Sequence, residues 1–351
     1  MYDYFSIDQY PLLSRFITER VAEGLPFVVF RMPRRDNFKD CLIAITPHEG
    51  SENDPCRMLC KVRPWLSSQW YDFSATGTPV AESMKVCPDS TPQETYTQNL
   101  ESLIEILKNR GGKTVIARNI CGRFSNFSPS DIFLNYLSVA ESRHSVTFLL
   151  YHPLMNFWMG STPELILERS NGEIFRTMAL AGTRHHEVRA PWDIKDIEEH
   201  ELVARDIDRR LRNAGLECLR MPSKELIYGD IEHLATEFIA DVGPLATDIR
   251  FFESVVDELE PTPALAGYPR PFAIAEIGRF EKWPRYLYAG CISICDIRNR
   301  LTYGIIRCVH FDSSHWAVYA GSGVTARSIP SVEWIETENK ARTLVDCLSQ
   351  F

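Results

Sequence analysis

The chain has 351 residues, of which 44% are hydrophobic and 24% charged, with a formal net charge of −9 at pH 7. This composition is typical of a globular protein with a large buried core. The negative charge, without a basic block or tail, argues against a nucleic-acid partner. The sequence has neither a spanning apolar segment nor a signal-peptide pattern, so we expect a cytoplasmic protein with reduced cysteines.

The predicted elements of the first half begin with strands rich in β-branched and aromatic residues, at residues 25–32 and 40–46. Residues 50–95 are interpreted as loops around short elements. Residues 93–109 have the apolar period of a helix, which Gly111 would end because glycine readily adopts the left-handed C-cap conformation. Further strands are predicted at residues 113–118, 146–151, 164–169 and 173–180.

The second half contains two long helices, at residues 193–213 and 331–348, and each carries a pair of acidic residues. Strand-rich blocks separated by long helices, without a regular alternation of strand and helix, favour an α+β fold over a doubly wound sheet. The strands predicted in this half lie at residues 287–296, 302–311 and 315–320.

The acidic pairs of these helices are Asp196 with Glu199 and Glu333 with Glu336. Residues at positions i and i+3 share one helix face, so each pair would point to the same side. Two such faces lining one cleft would form an all-oxygen site for Mg²⁺, completed by water and an anionic substrate. Either pair alone is more typical of a solvated helix surface.

Two residues are candidates for proton transfer. Lys113 begins an apolar strand, where loss of solvation would let the amine act as a base near neutral pH. The alternative is a lysine whose aliphatic side chain packs along the strand edge while its ammonium group stays exposed to water. Glu164 follows Pro163 and opens an apolar strand, where a carboxyl group could stay protonated and act as a general acid. The alternative is an exposed charge at the strand end.

Other residues are candidates for binding an anion. Arg307 falls inside a predicted apolar strand and, if it points inward, would suit a substrate carboxylate, to which Tyr288 could add a hydrogen bond. The glycine turns at residues 181–184 and 319–324 would expose backbone N–H groups to an anion. His233 has no second histidine at zinc-ligand spacing and is interpreted as a hydrogen-bonding core residue.

Taken in order, ten segments resemble the chorismate-utilising enzymes, a family that includes isochorismate, anthranilate, aminodeoxychorismate and salicylate synthases. The resemblance covers the chain from about Lys113 to its end. The segments are Lys113-Thr-Val-Ile-Ala-Arg118, Ser161-Thr-Pro-Glu-Leu165, Leu180-Ala-Gly-Thr-Arg184, Glu199-His-Glu-Leu-Val203, His233-Leu-Ala-Thr236, Pro261-Thr-Pro-Ala-Leu-Ala-Gly267, Arg285-Tyr-Leu-Tyr-Ala-Gly290, Ile306-Arg307, Tyr319-Ala-Gly-Ser-Gly323 and Glu333-Trp-Ile-Glu336 with Lys340.

The resemblance implies an α+β fold of large, mostly antiparallel sheets layered with outer helices, and an active site in a deep cleft. It divides the chain into an N-terminal part, residues 1–110, which extends the same domain, and a chorismate-binding catalytic region, residues 111–351. The loop that begins at Pro261 and the lysine at position 113 are most similar to those of isochorismate synthases. The implied activity is an isomerase that converts chorismate to isochorismate with Mg²⁺, for menaquinone or siderophore biosynthesis.

The resemblance also implies roles for individual residues. Lys113 would be the base and Glu164 the acid. Glu199 and Glu336 would bind Mg²⁺, supported by Asp196 and Glu333. The residues implied in substrate binding are Gly182, Thr183, His233, Tyr288, Arg307, Gly321, Gly323 and Lys340.

Three other functions stay open at this point. A salicylate synthase would share Lys113 and would also expel pyruvate. A non-catalytic chorismate-binding relative would keep the pocket without turnover. An amine-transferring enzyme would need a glutaminase subunit, which we do not expect here; nor do we expect a membrane partner.

Overall fold

The computed structural model describes residues 2–5, 9–33, 42–47, 58–75, 83–140, 144–170, 172–188, 190–228, 231–296 and 299–351. The helices in this part of the chain are α1 (Tyr10–Ala22), α2 (Gln93–Arg110), α3 (Pro129–Val139), α4 (Ile194–Asn213), α5 (Ile249–Leu259), α6 (Arg270–Phe280) and α7 (Pro330–Leu348). Among the described helices, none combines the length and the apolar character needed to cross a membrane.

The strands are β1 (Tyr2–Phe5), β2 (Phe27–Arg31), β3 (Leu42–Ile45), β4 (Leu59–Arg63), β5 (Tyr71–Asp72), β6 (Lys113–Arg123), β7 (Val146–His152), β8 (Asn156–Thr162), β9 (Leu165–Ser170), β10 (Ile174–His185), β11 (Leu219–Arg220), β12 (Lys224–Tyr228), β13 (Ile231–Asp241), β14 (Gly267–Tyr268), β15 (Cys291–Cys295), β16 (Arg300–Gly304), β17 (Cys308–Phe311) and β18 (His315–Thr325).

These strands form two nine-stranded sheets. The first sheet has the order β1-β3-β2-β7-β8-β17-β18-β6-β14, and the second has the order β11-β13-β10-β9-β16-β15-β4-β5, with β12 also paired to β13. The long central pairings, such as β6 with β18 and β10 with β13, are antiparallel. The predicted α+β class with large antiparallel sheets and outer helices is therefore confirmed.

The early strands extend both sheets at their edges. Strands β1, β3 and β2 lie at one end of the first sheet, and β4 and β5 lie at one end of the second. The boundary that we placed at residue 110 stays a prediction.

Successive side chains of β2 pack into two different apolar clusters, one on each face of the first sheet. Val28 and Phe30 belong to an apolar cluster that includes Ile166 and Ile292 of the second sheet. Their neighbour Phe27 belongs to a different cluster, built with residues of α1, α3 and α7. Because successive side chains of a strand point to opposite faces, the first sheet buries one face against the second sheet and the other beneath helices.

The chain passes between the two sheets through two short connections. Residues 163–164 link β8 in the first sheet to β9 in the second, and residues 305–307 link β16 in the second to β17 in the first. The connections lie side by side, since Gly304 N donates to Glu164 O over 2.8 Å and Ser161 N donates to Arg307 O over 3.3 Å. Two of the candidate site residues are thus held together where the sheets meet.

The predicted helices at residues 93–109, 193–213 and 331–348 are confirmed by α2, α4 and α7. Gly111 follows α2 with φ of +73°, which glycine adopts without steric penalty. The prediction of one strand over residues 302–311 is wrong, because β16 and β17 belong to different sheets.

Two related predictions also need correction. Arg307 is not in a strand but in the link between the two strands, with φ of +49°. The strand predicted at residues 287–296 is shorter, since Leu287 to Gly290 form a turn before β15.

Candidate active site

The long pairing of β6 with β18 forms one wall of a pocket. Val115 lies opposite Gly323, and Ala117 lies opposite Gly321. Residues two apart on a strand share a face, so Lys113, at the start of β6, projects to the same side. A Cβ atom on Gly323 would lie 2.4 Å from Glu199 Oε1 and 2.6 Å from Lys113 Cε. An alanine at this position would therefore force the ends of both side chains to shift.

Lys113 is buried, with 2% of its surface exposed, and its Nζ lies 2.8 Å from Glu199 Oε1. The alternative of a lysine with its charge in water is therefore wrong. Burial alone would raise the pKa of Glu199, but the charges of Lys113 and Lys195 lower it below its ordinary value. Glu199 is therefore held as a carboxylate.

Glu164 also lines the pocket, in the connection between β8 and β9, and is 1% exposed. The alternative of an exposed strand-end charge is wrong. Burial raises the pKa of this carboxyl group to about 7, although a hydrogen bond from Thr262 and the charge of Lys113 oppose the shift. Thr262 Oγ1 donates to Glu164 Oε1 over 2.8 Å. The group can consequently carry a proton near neutral pH.

A salt bridge between α4 and α7 brings the two acidic pairs near one another. Lys195 of α4 contacts Glu333 of α7 over 2.8 Å and Glu199 over 3.8 Å. Burial, together with the charge of Glu336, raises the pKa of Glu333 to about 7, although Lys195 opposes the shift. Burial likewise raises the pKa of Asp196 to about 6, with contributions from Glu199 and Glu336. Glu336 thus lies within electrostatic reach of both Glu333 and Asp196.

Arg307 is held by a short chain of hydrogen bonds. Its Nη2 lies 2.6 Å from His233 Nε2, and His233 Nδ1 lies 2.8 Å from the carbonyl oxygen of Gly182. Because a guanidinium can only donate, Nε2 accepts and Nδ1–H donates to Gly182. Burial and the charges of Arg307 and Lys340 keep the pKa of His233 well below its ordinary value. This histidine is thus neutral and orients the arginine.

Twelve of the fourteen predicted site residues line this one pocket. They are Lys113, Glu164, Gly182, Thr183, Glu199, His233, Tyr288, Arg307, Gly321, Gly323, Glu336 and Lys340. Asp196 and Glu333 do not line it. Asp196 packs behind Gly182, whose added Cβ would lie 3.3 Å from Asp196 Cβ, and Glu333 is buried beside Lys195.

The sequence interpretation missed two residues that contact the predicted groups, Lys195 and Thr262. Both lie inside segments that were already singled out, one beside Asp196 and the other in the loop after Pro261. Their side chains become informative only when tertiary contacts bring Glu333 and Glu164 next to them.

The donor set suits a magnesium ion in its chemistry. Two carboxylates, Glu199 and Glu336, line the pocket, and Mg²⁺ in proteins is commonly bound by one or two carboxylates plus waters and substrate oxygens. Within the described residues, no group of three or more acidic, histidine or cysteine side chains is arranged to hold a metal ion by itself. The residues therefore fit a site that is completed by water and substrate.

Comparisons with known proteins show sequence similarity to isochorismate synthases. The isochorismate synthase EntC of Escherichia coli K12 is 29% identical over 219 residues, which is 58% of this chain and 55% of that protein. The vibriobactin-specific isochorismate synthase of Vibrio cholerae is 27% identical over 267 residues, which is 72% of this chain and 66% of that protein. The alignment with EntC thus spans little more than half of that relative's length.

The fold is also found among solved structures. MenF, the menaquinone-specific isochorismate synthase of Escherichia coli, superposes with a TM-score of 0.65 at 20% sequence identity, covering 99% of this chain and 84% of that one. The family model described as chorismate binding enzyme matches residues 39–349. Since this match covers most of the sequence, the chain belongs to the chorismate-binding enzyme family.

Proposed function

We propose that the protein is a Mg²⁺-dependent isochorismate synthase. The observation that supports this most is the placement of Lys113 and Glu164, both buried, on the same pocket. An amine base and a protonated carboxyl group facing one substrate would allow a hydroxyl to be added at one carbon while another leaves. The EntC, MenF and vibriobactin-specific relatives are all named as isochorismate synthases.

In the proposed reaction Lys113, in its unprotonated form, removes a proton from water as the water oxygen bonds to C2 of chorismate. The ring double bonds shift, and the C4–O bond breaks as Glu164 gives its proton to the departing hydroxyl, which leaves as water. One water enters and one leaves, so the product is an isomer of the substrate. The step leaves Lys113 protonated and Glu164 ionised, so Lys113 must release a proton to solvent and Glu164 must take one up before the next turnover.

The remaining residues would bind and orient the substrate. Arg307 and Tyr288 would hold the enolpyruvyl carboxylate, with His233 fixing the arginine. The backbone of Gly182, Gly321 and Gly323, with Thr183 and Lys340, would complete the pocket. General acid–base catalysis contributes about 10²–10⁴-fold, so positioning by these groups must supply much of the remaining rate.

When bound, Mg²⁺ would neutralise the ring carboxylate of the substrate. Glu199 and Glu336 would hold it, with Asp196 and Glu333 supporting the site through hydrogen bonds. The proposal places the protein in the cytoplasm, acting without a glutaminase subunit, in menaquinone or siderophore biosynthesis.

The test is to incubate the purified protein with chorismate and Mg²⁺ and to separate the products by chromatography. Isochorismate alone supports the proposal. Salicylate together with pyruvate would instead identify a salicylate synthase, and ammonia-dependent turnover would identify an amine-transferring enzyme. Tight binding of chorismate without any product would indicate a non-catalytic relative.

A further inference from the structure

Lys195 lies between the two acidic pairs and contacts one member of each. Its Nζ is 2.8 Å from Oε1 of Glu333 and 3.8 Å from Oε2 of Glu199. Glu333 is 1% exposed, so this lysine supplies a counter-charge inside the protein. Lys195 is not among the residues that line the pocket, which separates it from Lys113 and Lys340.

The ammonium group of Lys195 lies among carboxylates that also suit a divalent cation, and it contacts Glu333 and Glu199. Both cations are attracted by the same oxygens, and they repel each other across a partly buried region where screening is weak.

We propose that the ammonium group of Lys195 competes with Mg²⁺ for the negative charge of Glu199 and of the neighbouring Glu333, and so lowers the metal affinity of the site. The inference rests on the proposed function only for the identity of the metal. Lys195 is here a positioning residue, since it acts through the carboxylates and does not contact the substrate. In the absence of metal, Lys195 bridges the two acidic pairs. When Mg²⁺ binds, the metal ion and the ammonium group share the negative charge of these carboxylates.

The test uses full-length protein without substrate and a titration with MgCl₂, followed by calorimetry and by the Tm. We expect Lys195→Gln to bind Mg²⁺ roughly 5- to 150-fold more tightly than the wild type, the usual range for coupling between two sites. Its metal-free Tm should be lower, because Glu333 loses its buried partner. Lys195→Arg, which keeps the charge, should keep the wild-type Mg²⁺ affinity.

Two results would overturn the inference: Lys195→Gln binding Mg²⁺ no more tightly than the wild type, or neither protein binding Mg²⁺ at millimolar concentration. If Lys195→Gln alone does not fold, Glu333→Gln is compared with the double variant Lys195→Gln/Glu333→Gln. The double variant should bind the metal more tightly than Glu333→Gln, and equal affinity would refute the competition.

The two proposals fail in different experiments. Metal affinity is measured without chorismate, whereas the proposed function is tested by its product. A protein whose Mg²⁺ affinity rises in Lys195→Gln, but which makes no isochorismate, would contradict the proposed function and leave the role of Lys195 standing.

Discussion

Thr262 donates a 2.8 Å hydrogen bond to the carboxyl group of Glu164, and both residues are almost wholly shielded from solvent. The hydroxyl opposes the rise in pKa that burial produces. Glu164 is therefore held near the point where it can both carry and release a proton. A general acid works best when its pKa lies close to the working pH.

This relationship predicts how activity depends on pH. Glu164 acts when protonated, so kcat/KM should fall as pH rises through about 7, the raised pKa of this group. Thr262→Val removes a donor that favours the carboxylate, so the pKa rises further and the falling limb moves to higher pH. We expect a shift of about one to two pH units, since a hydrogen bond to a charged group contributes about 1.5–3 kcal/mol.

The measurement is a pH profile of kcat/KM for the wild type, Thr262→Val and Thr262→Ser. The serine variant keeps the hydroxyl, so its kcat/KM should fall at the same pH as that of the wild type. If kcat/KM of the valine variant also falls at the wild-type pH, Thr262 does not influence the pKa of Glu164.

Lys113→Ala is expected to lower turnover by about 10²–10⁴-fold, the usual contribution of a general base. Binding of chorismate in the presence of Mg²⁺ should persist, because Arg307 and Glu336 are untouched. The two quantities are measured by product formation and by calorimetry. Lys108→Ala, on the exposed surface of α2, is the matched control and should behave as the wild type. Undiminished turnover in Lys113→Ala would exclude the base assignment.

Glu199→Gln is expected to weaken Mg²⁺ affinity by at least roughly 10- to 100-fold. This is the usual loss of metal affinity when a residue that orients a metal ligand is replaced, and replacing the ligand itself should cost no less. The neighbouring Glu198 provides a control, since it is exposed and pairs with Arg327. Glu198→Gln should retain the wild-type Mg²⁺ response. The measurement is a magnesium titration of both variants, and an identical response from the two would remove Glu199 from the metal site.

Gly323→Ala places a methyl group against Glu199 and Lys113, so we expect a destabilisation of about 1–3 kcal/mol, as for other overpacked sites. Turnover should fall as well, because the Lys113–Glu199 pair must move apart. Gly278, in α6, has no atom within 4 Å of an added Cβ. Gly278→Ala should therefore be neutral or stabilising by about 0.5–1 kcal/mol. Equal Tm values for the two variants would contradict this reasoning.

Much of the architecture could be predicted from residue patterns. The helix with Glu199 and the helix with Glu336 were identified because long apolar periods persist for several turns. The ordered motifs also indicated which residues share the pocket, although they are far apart in the chain. Most of the lining residues were therefore named without coordinates.

Arg307 shows where pattern reasoning failed. Hydrophobic residues lie on both sides of the link, and neither Gly304, at the end of β16, nor the single charged residue Arg307 was enough to indicate that the chain changes sheets here. The positive φ at Arg307 had no local marker either. Lys195 and Thr262 were missed for another reason, since their partners lie 138 and 98 positions away.

The short connections at residues 163–164 and 305–307 have a mechanical consequence. Each link is only two or three residues long, and backbone hydrogen bonds from Gly304 to Glu164 and from Ser161 to Arg307 join the two links to the neighbouring strand ends. Glu164 and Arg307 are therefore tied to both sheets at once, so neither residue can shift without moving the point where the sheets meet.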